Sequence, residues 1–253
     1  MLRVSLPAGF AVHDDGRMRV VAPRYELEEM VALLCGRGRD CAGEPVAGGR
    51  GGTRRVRLPG GKTVYLRKCL RGGLVRWFVR DLYWLRPERP LQELVVVEHA
   101  RAAGCRLPAV VAVATEEVGP FYRGWVVSEE VPGARPLIDE LASAADRVAV
   151  LGRVSAAIER LHGAGVYHVD LTGDNVLVDG DGRIWLVDFD RAFLAPANAS
   201  KWCARGRARL WRSLVKLAAE RSLELSEEAK RAVLGKSFED AVPAGAAVFR
   251  RKT

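Results

Sequence analysis

Between His168 and Asp190 polar groups and short apolar runs follow one another in an order that few folds accommodate. The run is His168-Val169-Asp170-Leu171-Thr172-Gly173-Asp174-Asn175, then Val176-Leu177-Val178, then the Asp179-Gly180-Asp181-Gly182 turn, then Ile184–Val187 and Asp188-Phe189-Asp190. Turn residues between two strand-length apolar runs predict a hairpin. Upstream, Leu151, Val154, Ile158 and Leu161 recur at three-to-four spacing, one face of a helix. Gly163-Ala164-Gly165 ends that helix. The chain must therefore run helix, polar loop, hairpin, and the hairpin returns Asp188 to the mouth of the loop that carries Asp170 and Asn175.

Three oxygen-bearing side chains at one mouth suit phosphoryl transfer. A donor such as ATP crowds negative charge around the reacting phosphorus. Attack by a hydroxyl needs an oriented nucleophile, metal ions that neutralise charge, and exclusion of water. Asp170 is placed to orient the hydroxyl and take its proton. Asn175 and Asp188 offer the oxygen ligands that Mg2+ prefers. His168 is expected to brace the loop by hydrogen bonds. Ordinary polar loops around an Asp-Gly hairpin would read similarly without the preceding helix and the Asp-Phe dipeptide.

The first half is richer in strands. Residues 1–24 read as short strands and turns, Tyr25–Leu34 as a helix, and Gly36–Gly52 as loop. Thr53–Leu58 and Thr63–Arg67 form a hairpin about Pro59-Gly60-Gly61. Leu74–Leu85 and Pro90–Ala103 are helix candidates; Ala109–Thr115 and Tyr122–Glu129 are strands. From about Lys201 the chain is mainly helical. Strands first and helices later give an α+β class, with a strand-rich lobe over 1–130 and a helical lobe over 131–253. Gly48-Gly49-Arg50-Gly51-Gly52-Thr53 could bring backbone N–H groups of Gly49, Arg50 and Gly51 to phosphates, or be plain loop.

The His168–Asn175 and Asp188–Arg191 segments resemble the catalytic and metal-binding loops of the protein-kinase-like superfamily. Val169 replaces the usual Arg before the catalytic Asp. Asp188-Phe189-Asp190-Arg191 replaces Asp-Phe-Gly, and no Ala-Pro-Glu segment follows, which favours a small-molecule or glycolipid substrate over a protein. The resemblance implies a two-lobed kinase fold with ATP between the lobes and Ser128–Val131 beside the adenine, so Glu129 and Val131 are nucleotide-binding candidates. Val64-Tyr65-Leu66-Arg67 stands where kinases have Val-Ala-Ile-Lys. Arg67 would hold phosphates, with Lys68 the neighbouring alternative, since only one of two adjacent strand residues faces a given side. Glu93 would orient Arg67; Glu98 is the second choice.

Further segments resemble the 3-deoxy-D-manno-octulosonic acid (Kdo) kinases: Leu66 to Leu74 with Arg71-Gly72-Gly73, Glu93-Leu94, Leu107-Pro108-Ala109, Tyr167 to Leu171, Trp185 to Arg191, and Trp202 with Arg209 to Lys216. Thr172-Gly173-Asp174 stands where that family is expected to carry Asn-Ala-His. The resemblance implies transfer of the ATP γ-phosphate to the 4-OH of a Kdo sugar on a lipid A precursor. It implies peripheral attachment to an anionic membrane, at the cytoplasmic face of the bacterial inner membrane. A heptose kinase of the lipopolysaccharide core, an atypical protein kinase and a basic nucleic-acid-binding module on a decayed kinase fold are the rival readings.

The 253 residues carry a formal net charge of +9, which favours an anionic partner or serves solubility. Arg67, Lys68, Arg71, Arg76 and Arg80 interleave with Trp77, Phe78, Tyr83 and Trp84. Lys201, Arg205, Arg207, Arg209 and Arg212 accompany Trp202 and Trp211. Cations beside indoles suit an interface of anionic headgroups and acyl chains, or the aromatics are core and the cations a solvated face. No zinc-finger or RNA-recognition motif occurs, so no nucleic acid is expected as partner. The five cysteines, with no CxxC pair, read as reduced packing residues. No apolar run reaches the ~18 residues of a membrane span, and the N-terminal segment lacks a secretory pattern, so an intracellular protein is expected. His162, at a helix end, is expected where the dipole favours a cation.

Overall fold

The structure, a computed structural model, describes residues 6–36, 42–46, 52–70, 81–84 and 88–235. In its first half, alternating apolar side chains build an antiparallel sheet. The strands are β1 (Phe10–Asp14), β2 (Met18–Pro23), β3 (Glu44–Pro45), β4 (Thr53–Arg57), β5 (Thr63–Lys68), β6 (Tyr83–Trp84), β7 (Val110–Val118) and β8 (Phe121–Glu129). Their order is β1-β2-β7-β8-β5-β4-β3, and β6 pairs with the start of β8, where β5 does not reach. Two helices accompany the sheet, α1 (Leu27–Cys35) and α2 (Arg89–Ala102).

Residues two apart on a strand share a face. Val20 and Ala22, Val64 and Leu66, Ala112 and Ala114, and Trp125 and Val127 gather in one apolar core with Met30 and Leu34 of α1. Each large side chain removed from water there contributes about 1.5–3 kcal/mol. Because Leu66 belongs to that core, Arg67 must leave the strand on the opposite side. α2 lies against β7 and β8 and buries Leu91, Leu94, Val97 and Ala100.

The second half holds β9 (Arg135–Pro136), α3 (Leu137–Ser143), α4 (Arg147–Gly163), β10 (Val166–Tyr167), a 3-10 turn (Gly173–Asn175), β11 (Val176–Val178), β12 (Ile184–Leu186), β13 (Phe193–Leu194), α5 (Ser200–Glu220) and α6 (Glu227–Leu234). The Asp146 side chain caps α4, accepting from the Ala149 N–H at 2.9 Å. Leu151, Val154, Ile158 and Leu161 are all buried on the face their spacing predicts. The turn after α4 requires glycine at one position. Gly165 has φ +70°, and a Cβ there would sit 2.5 Å from the Ala195 carbonyl oxygen. β11 pairs antiparallel with β12 and with β9. The chain divides into two compact units, Met1–Pro132 with Phe189–Arg191, and Gly133–Asp188 with Ala192–Thr253.

Two local expectations change, and one helix goes unannounced. Tyr83 and Trp84, read as the end of a helix over Leu74–Leu85, form a strand instead; residues 74–80 and 85 lie outside the described residues. Pairing with β8 and the stacking of Tyr83 on Tyr122, with centroids 5.5 Å apart, override a helical pattern. Glu44–Pro45, expected as loop, pairs with Arg54 and Arg55. The short α3 had no pattern long enough to announce it.

A buried cation ties three helices of the second unit together. Arg207 of α5 is 3% exposed. It donates to the Ser155 hydroxyl of α4 at 2.8 Å, to the Val233 carbonyl of α6 at 2.6 Å, and to Glu159 at 3.1 Å. Leucine at this position would leave buried acceptors without their donor, at about 1–3 kcal/mol each. Arg207→Leu is therefore expected to lower unfolding free energy by about 2–4 kcal/mol, read as a shift in the urea midpoint at unchanged slope.

Candidate active site

Asp170, Asn175 and Asp188 come together in the second unit through main-chain bonds. The Asn175 Nδ2 donates to the Asp170 carbonyl at 2.8 Å. The Val187 N–H donates to the Asn175 carbonyl at 3.0 Å, so Asp188 begins one residue beyond that bond. The His168 Nε2 meets the Val187 carbonyl at 2.9 Å. A carbonyl only accepts, so Nε2 carries the proton. Burial pushes the His168 pKa down; the bond to Val187 and the carboxylates of Asp188 and Asp170 push the other way without prevailing. His168 is thus a neutral strut beneath the two aspartates. Asp188 itself has φ +64°, a left-handed backbone that non-glycine residues adopt at a cost and that is common at functional positions.

Helix α5 lies close against this loop. A Cβ on Gly173 would come within 2.7 Å of the Leu217 Cδ1 and 3.1 Å of the Leu214 Cδ2. The Gly173 N–H donates to the Ser213 hydroxyl at 3.1 Å. Glycine at 173 thus eases the approach of those leucine methyls. On the same helix face, Arg209 donates from Nη2 to the Asp170 Oδ1 at 2.7 Å. The sequence placed Arg209 among surface cations and gave no sign that it touches Asp170. The signal lay in helical spacing, since Gly206, Arg209 and Ser213 share a face, but only the contact with the loop gives that spacing meaning.

In the first unit Arg67 and Glu93 are paired. The Arg67 Nη2 donates to both carboxylate oxygens, at 2.7 and 2.6 Å, and Glu93 is buried. Lys68 points to the other side, bonded to Asp81 at 2.9 Å and standing 5.5 Å from the Trp125 ring centroid. Strand alternation so separates the two cations. Glu98, the second choice as partner of Arg67, pairs with Arg101 at 2.8 Å. Glu129 ends β8; its N–H goes to the Ala109 carbonyl at 2.9 Å and its carboxylate to Lys62 at 2.6 Å. The Glu130 N–H goes to the Thr63 carbonyl at 3.1 Å, and its carboxylate holds Arg55 at 2.7 and 2.9 Å and the Tyr65 hydroxyl at 3.0 Å. Val131 follows, partly exposed, outside the strand. Gly49, Arg50 and Gly51 lie outside the described residues, as do Arg71, Arg76, Trp77, Phe78 and Arg80.

His162 differs from expectation, and Trp202 takes one of the two places open to it. His162 is buried, stacked on Tyr167 with centroids 5.3 Å apart. Burial and the nearby Arg207 charge push its pKa down to about 4, so it is neutral rather than the helix-end cation expected. Trp202 is 37% exposed, edge-on to Phe193, with Lys201 and Arg205 at 5.8 and 5.3 Å from its ring centroid. Cys69, Cys105 and Cys203 are buried free thiols; Cys35 is partly buried.

Both depressed histidines bind a proton more readily unfolded than folded. Their contribution to stability is complete above about pH 6.5 and is lost as pH falls, for His162 down to about pH 4. Thermal melts of the wild type should fall through that window. His162→Gln should flatten the fall, leaving the part that His168 supplies. An unaltered slope in the variant would show that His162 is not held neutral.

The profile of the Lipopolysaccharide kinase (Kdo/WaaP) family matches residues 41–234. A protein of Stenotrophomonas maltophilia named 3-deoxy-D-manno-octulosonic acid kinase is 38% identical over 181 residues, 70% of this chain and 71% of that one. Its namesake in Vibrio cholerae serotype O1 is 32% identical over 186 residues, 72% of this chain and 78% of the other. A third, in Xanthomonas euvesicatoria pv. vesicatoria, is 36% identical over 181 residues, 70% of this chain and 72% of the other.

Proposed function

The chain belongs to the lipopolysaccharide kinase (Kdo/WaaP) family and is a phosphotransferase with an alcohol group as acceptor, and from that premise we propose that it moves the γ-phosphate of ATP to the 4-OH of a Kdo sugar on a lipid A precursor. The single observation that carries the reading is the meeting of Asp170, Asn175 and Asp188 through the Asn175–Asp170 and Val187–Asn175 bonds. Phosphoryl transfer asks the protein mainly for positioning and charge stabilisation.

Each residue has a role. Asp170 accepts the proton of the acceptor hydroxyl as its oxygen attacks the γ-phosphorus. The new O–P bond forms, the bond to the bridging oxygen breaks, and ADP leaves with the electron pair. The Asn175 amide already uses its nitrogen toward Asp170, so its oxygen is the end offered as a ligand. With the Asp188 carboxylate this is an oxygen-only donor set, which fits Mg2+ rather than a softer metal. Bound there, the ion would neutralise phosphate charge. In the first unit Arg67, oriented by the buried Glu93, holds nucleotide phosphates, as do the backbone amides of Gly49, Arg50 and Gly51. Main-chain groups of Glu129 and Val131 read the adenine edge.

Association with an anionic membrane surface is the second part of the reading, at the cytoplasmic face of the inner membrane. It is supported by the exposed side of α5, where Lys201, Arg205, Arg212 and Lys216 stand with the half-exposed Trp202 and Val215. Among the described residues no helix is long and apolar enough to cross a membrane.

Purified protein incubated with ATP should phosphorylate a Kdo-bearing lipid A precursor and not a heptose-bearing core; transfer to neither defeats the proposal. Asp170→Ala should lower kcat by at least about 100-fold, the range for a lost general base, with nucleotide affinity kept. Unchanged turnover would remove Asp170 from its role. Flotation with vesicles containing anionic lipid should carry the protein at low salt and release it at high salt; equal flotation with neutral vesicles would refute the charge argument.

A further inference from the structure

Arg209 sets an exposed cation directly against Asp170. Its Nη2 lies 2.7 Å from the Asp170 Oδ1, at the oxygen that would receive the hydroxyl proton. Its place is built. Three residues on one face of α5 meet successive parts of the loop: Gly206 lies beside Leu171, with an added Cβ 3.6 Å from the Leu171 Cδ2, Arg209 reaches Asp170, and the Ser213 hydroxyl accepts from the Gly173 N–H. The register of α5 against the loop is thereby fixed, and Arg209 is held at the mouth.

The pair is nonetheless open to exchange. The side chains of Arg209 and Asp170 are 45% and 26% exposed, and water screens an ion pair so wet until little net attraction is left. The contact uses one of the five N–H donors of the guanidinium. The remaining fork matches a second carboxylate, with which a two-bond, charge-assisted pair is stronger than the single bond now made. Arg205 and Arg212, one turn to either side on the helix, are both exposed and raise the local positive potential. The similar proteins are named for a substrate that is an acid, and so carries a carboxylate at neutral pH.

We propose that Arg209 is the carboxylate-binding residue of the acceptor site: it takes the acid group of the sugar and thereby sets the reacting hydroxyl beside Asp170. This rests on the Kdo-kinase reading and on Asp170 as the proton acceptor. Arg209 is a specificity and positioning residue. It selects acidic sugars over neutral ones by a bond that only the acid can make, and it hands Asp170 a hydroxyl in place of the guanidinium. The competing source of an anion is the nucleotide itself, whose γ-phosphate could draw Arg209 instead.

The test compares a Kdo-bearing acceptor with its methyl ester, for wild type and for Arg209→Gln and Arg209→Lys, with KM for ATP measured alongside and thermal melts as a folding control. Wild type should prefer the acid in kcat/KM by about 10- to 100-fold, the range for a hydrogen-bonded charge. In Arg209→Gln the preference should shrink to about one, driven by a rise in acceptor KM, while KM for ATP stays within about two-fold. Arg209→Lys should recover part of the preference. The inference is overturned if Arg209→Gln keeps the wild-type preference, if it loses activity on both acceptors equally, or if KM for ATP is the constant that moves. Wild type that transfers well to both forms alike overturns it while sparing the Kdo reading. No transfer to either form overturns that reading and this inference together.

Discussion

The hydrogen bond from the Val187 N–H to the Asn175 carbonyl ties together the two polar segments of the second unit. It closes the mouth of the β11–β12 hairpin one residue before Asp188, and it does so at the residue whose side chain already holds the Asp170 carbonyl. His168, bonded to the other polar group of Val187, prevents that segment from rotating. Each of these bonds is worth only about 1 kcal/mol alone. Together they hold the backbone of Asp170, Asn175 and Val187 in one arrangement, and Asp188, the next residue, has a left-handed φ. Positional precision of this kind is what phosphoryl transfer requires of a protein.

Two buried histidines and a buried cation stand in the second unit. His168 and His162 are both held below their ordinary pKa, so both are neutral at pH 7. Arg207 is the reverse case, a guanidinium kept inside because a hydroxyl, a carbonyl and a carboxylate surround it. Two residues on, Arg209 is exposed and meets Asp170 instead. The same residue type on one helix is thus buried or exposed according to the face of α5 it occupies.

Much of this was legible in the sequence, for a physical reason. The α4 stripe, the Asp-Gly hairpin and the loop between them are local patterns whose periods differ, so the order helix, loop, hairpin could be read directly. Arg67 and Glu93 came from the resemblance of Val64-Tyr65-Leu66-Arg67 to a kinase strand, and alternation said only that Arg67 and Lys68 face opposite sides. The contact between Arg209 and Asp170 was not legible, because it joins residues 39 apart through the docking of α5, which no local period encodes. β6 escaped the local pattern because Tyr83 and Trp84 gain more from pairing with β8 than a helix could offer them. His162 is a similar case: its position at a helix end suggests a charge, while its burial against Tyr167 and Arg207 removes it.

The cation on β5, Arg67, differs in kind from a lysine. An ammonium is a compact charge on a flexible stem, whereas a guanidinium is a planar fork with five donors. The Nη2 of Arg67 engages both oxygens of Glu93. The donors on Nε and Nη1 keep a fixed direction relative to that bond. Breaking such a pair from the glutamate side leaves the charge wrongly aimed rather than merely weaker, because Glu93 is buried and sets the plane of the fork. Orientation, more than charge, is therefore what the Arg67–Glu93 pair contributes. Arg209 carries the same planar fork in the second unit, where its Nη2 meets the Asp170 carboxylate.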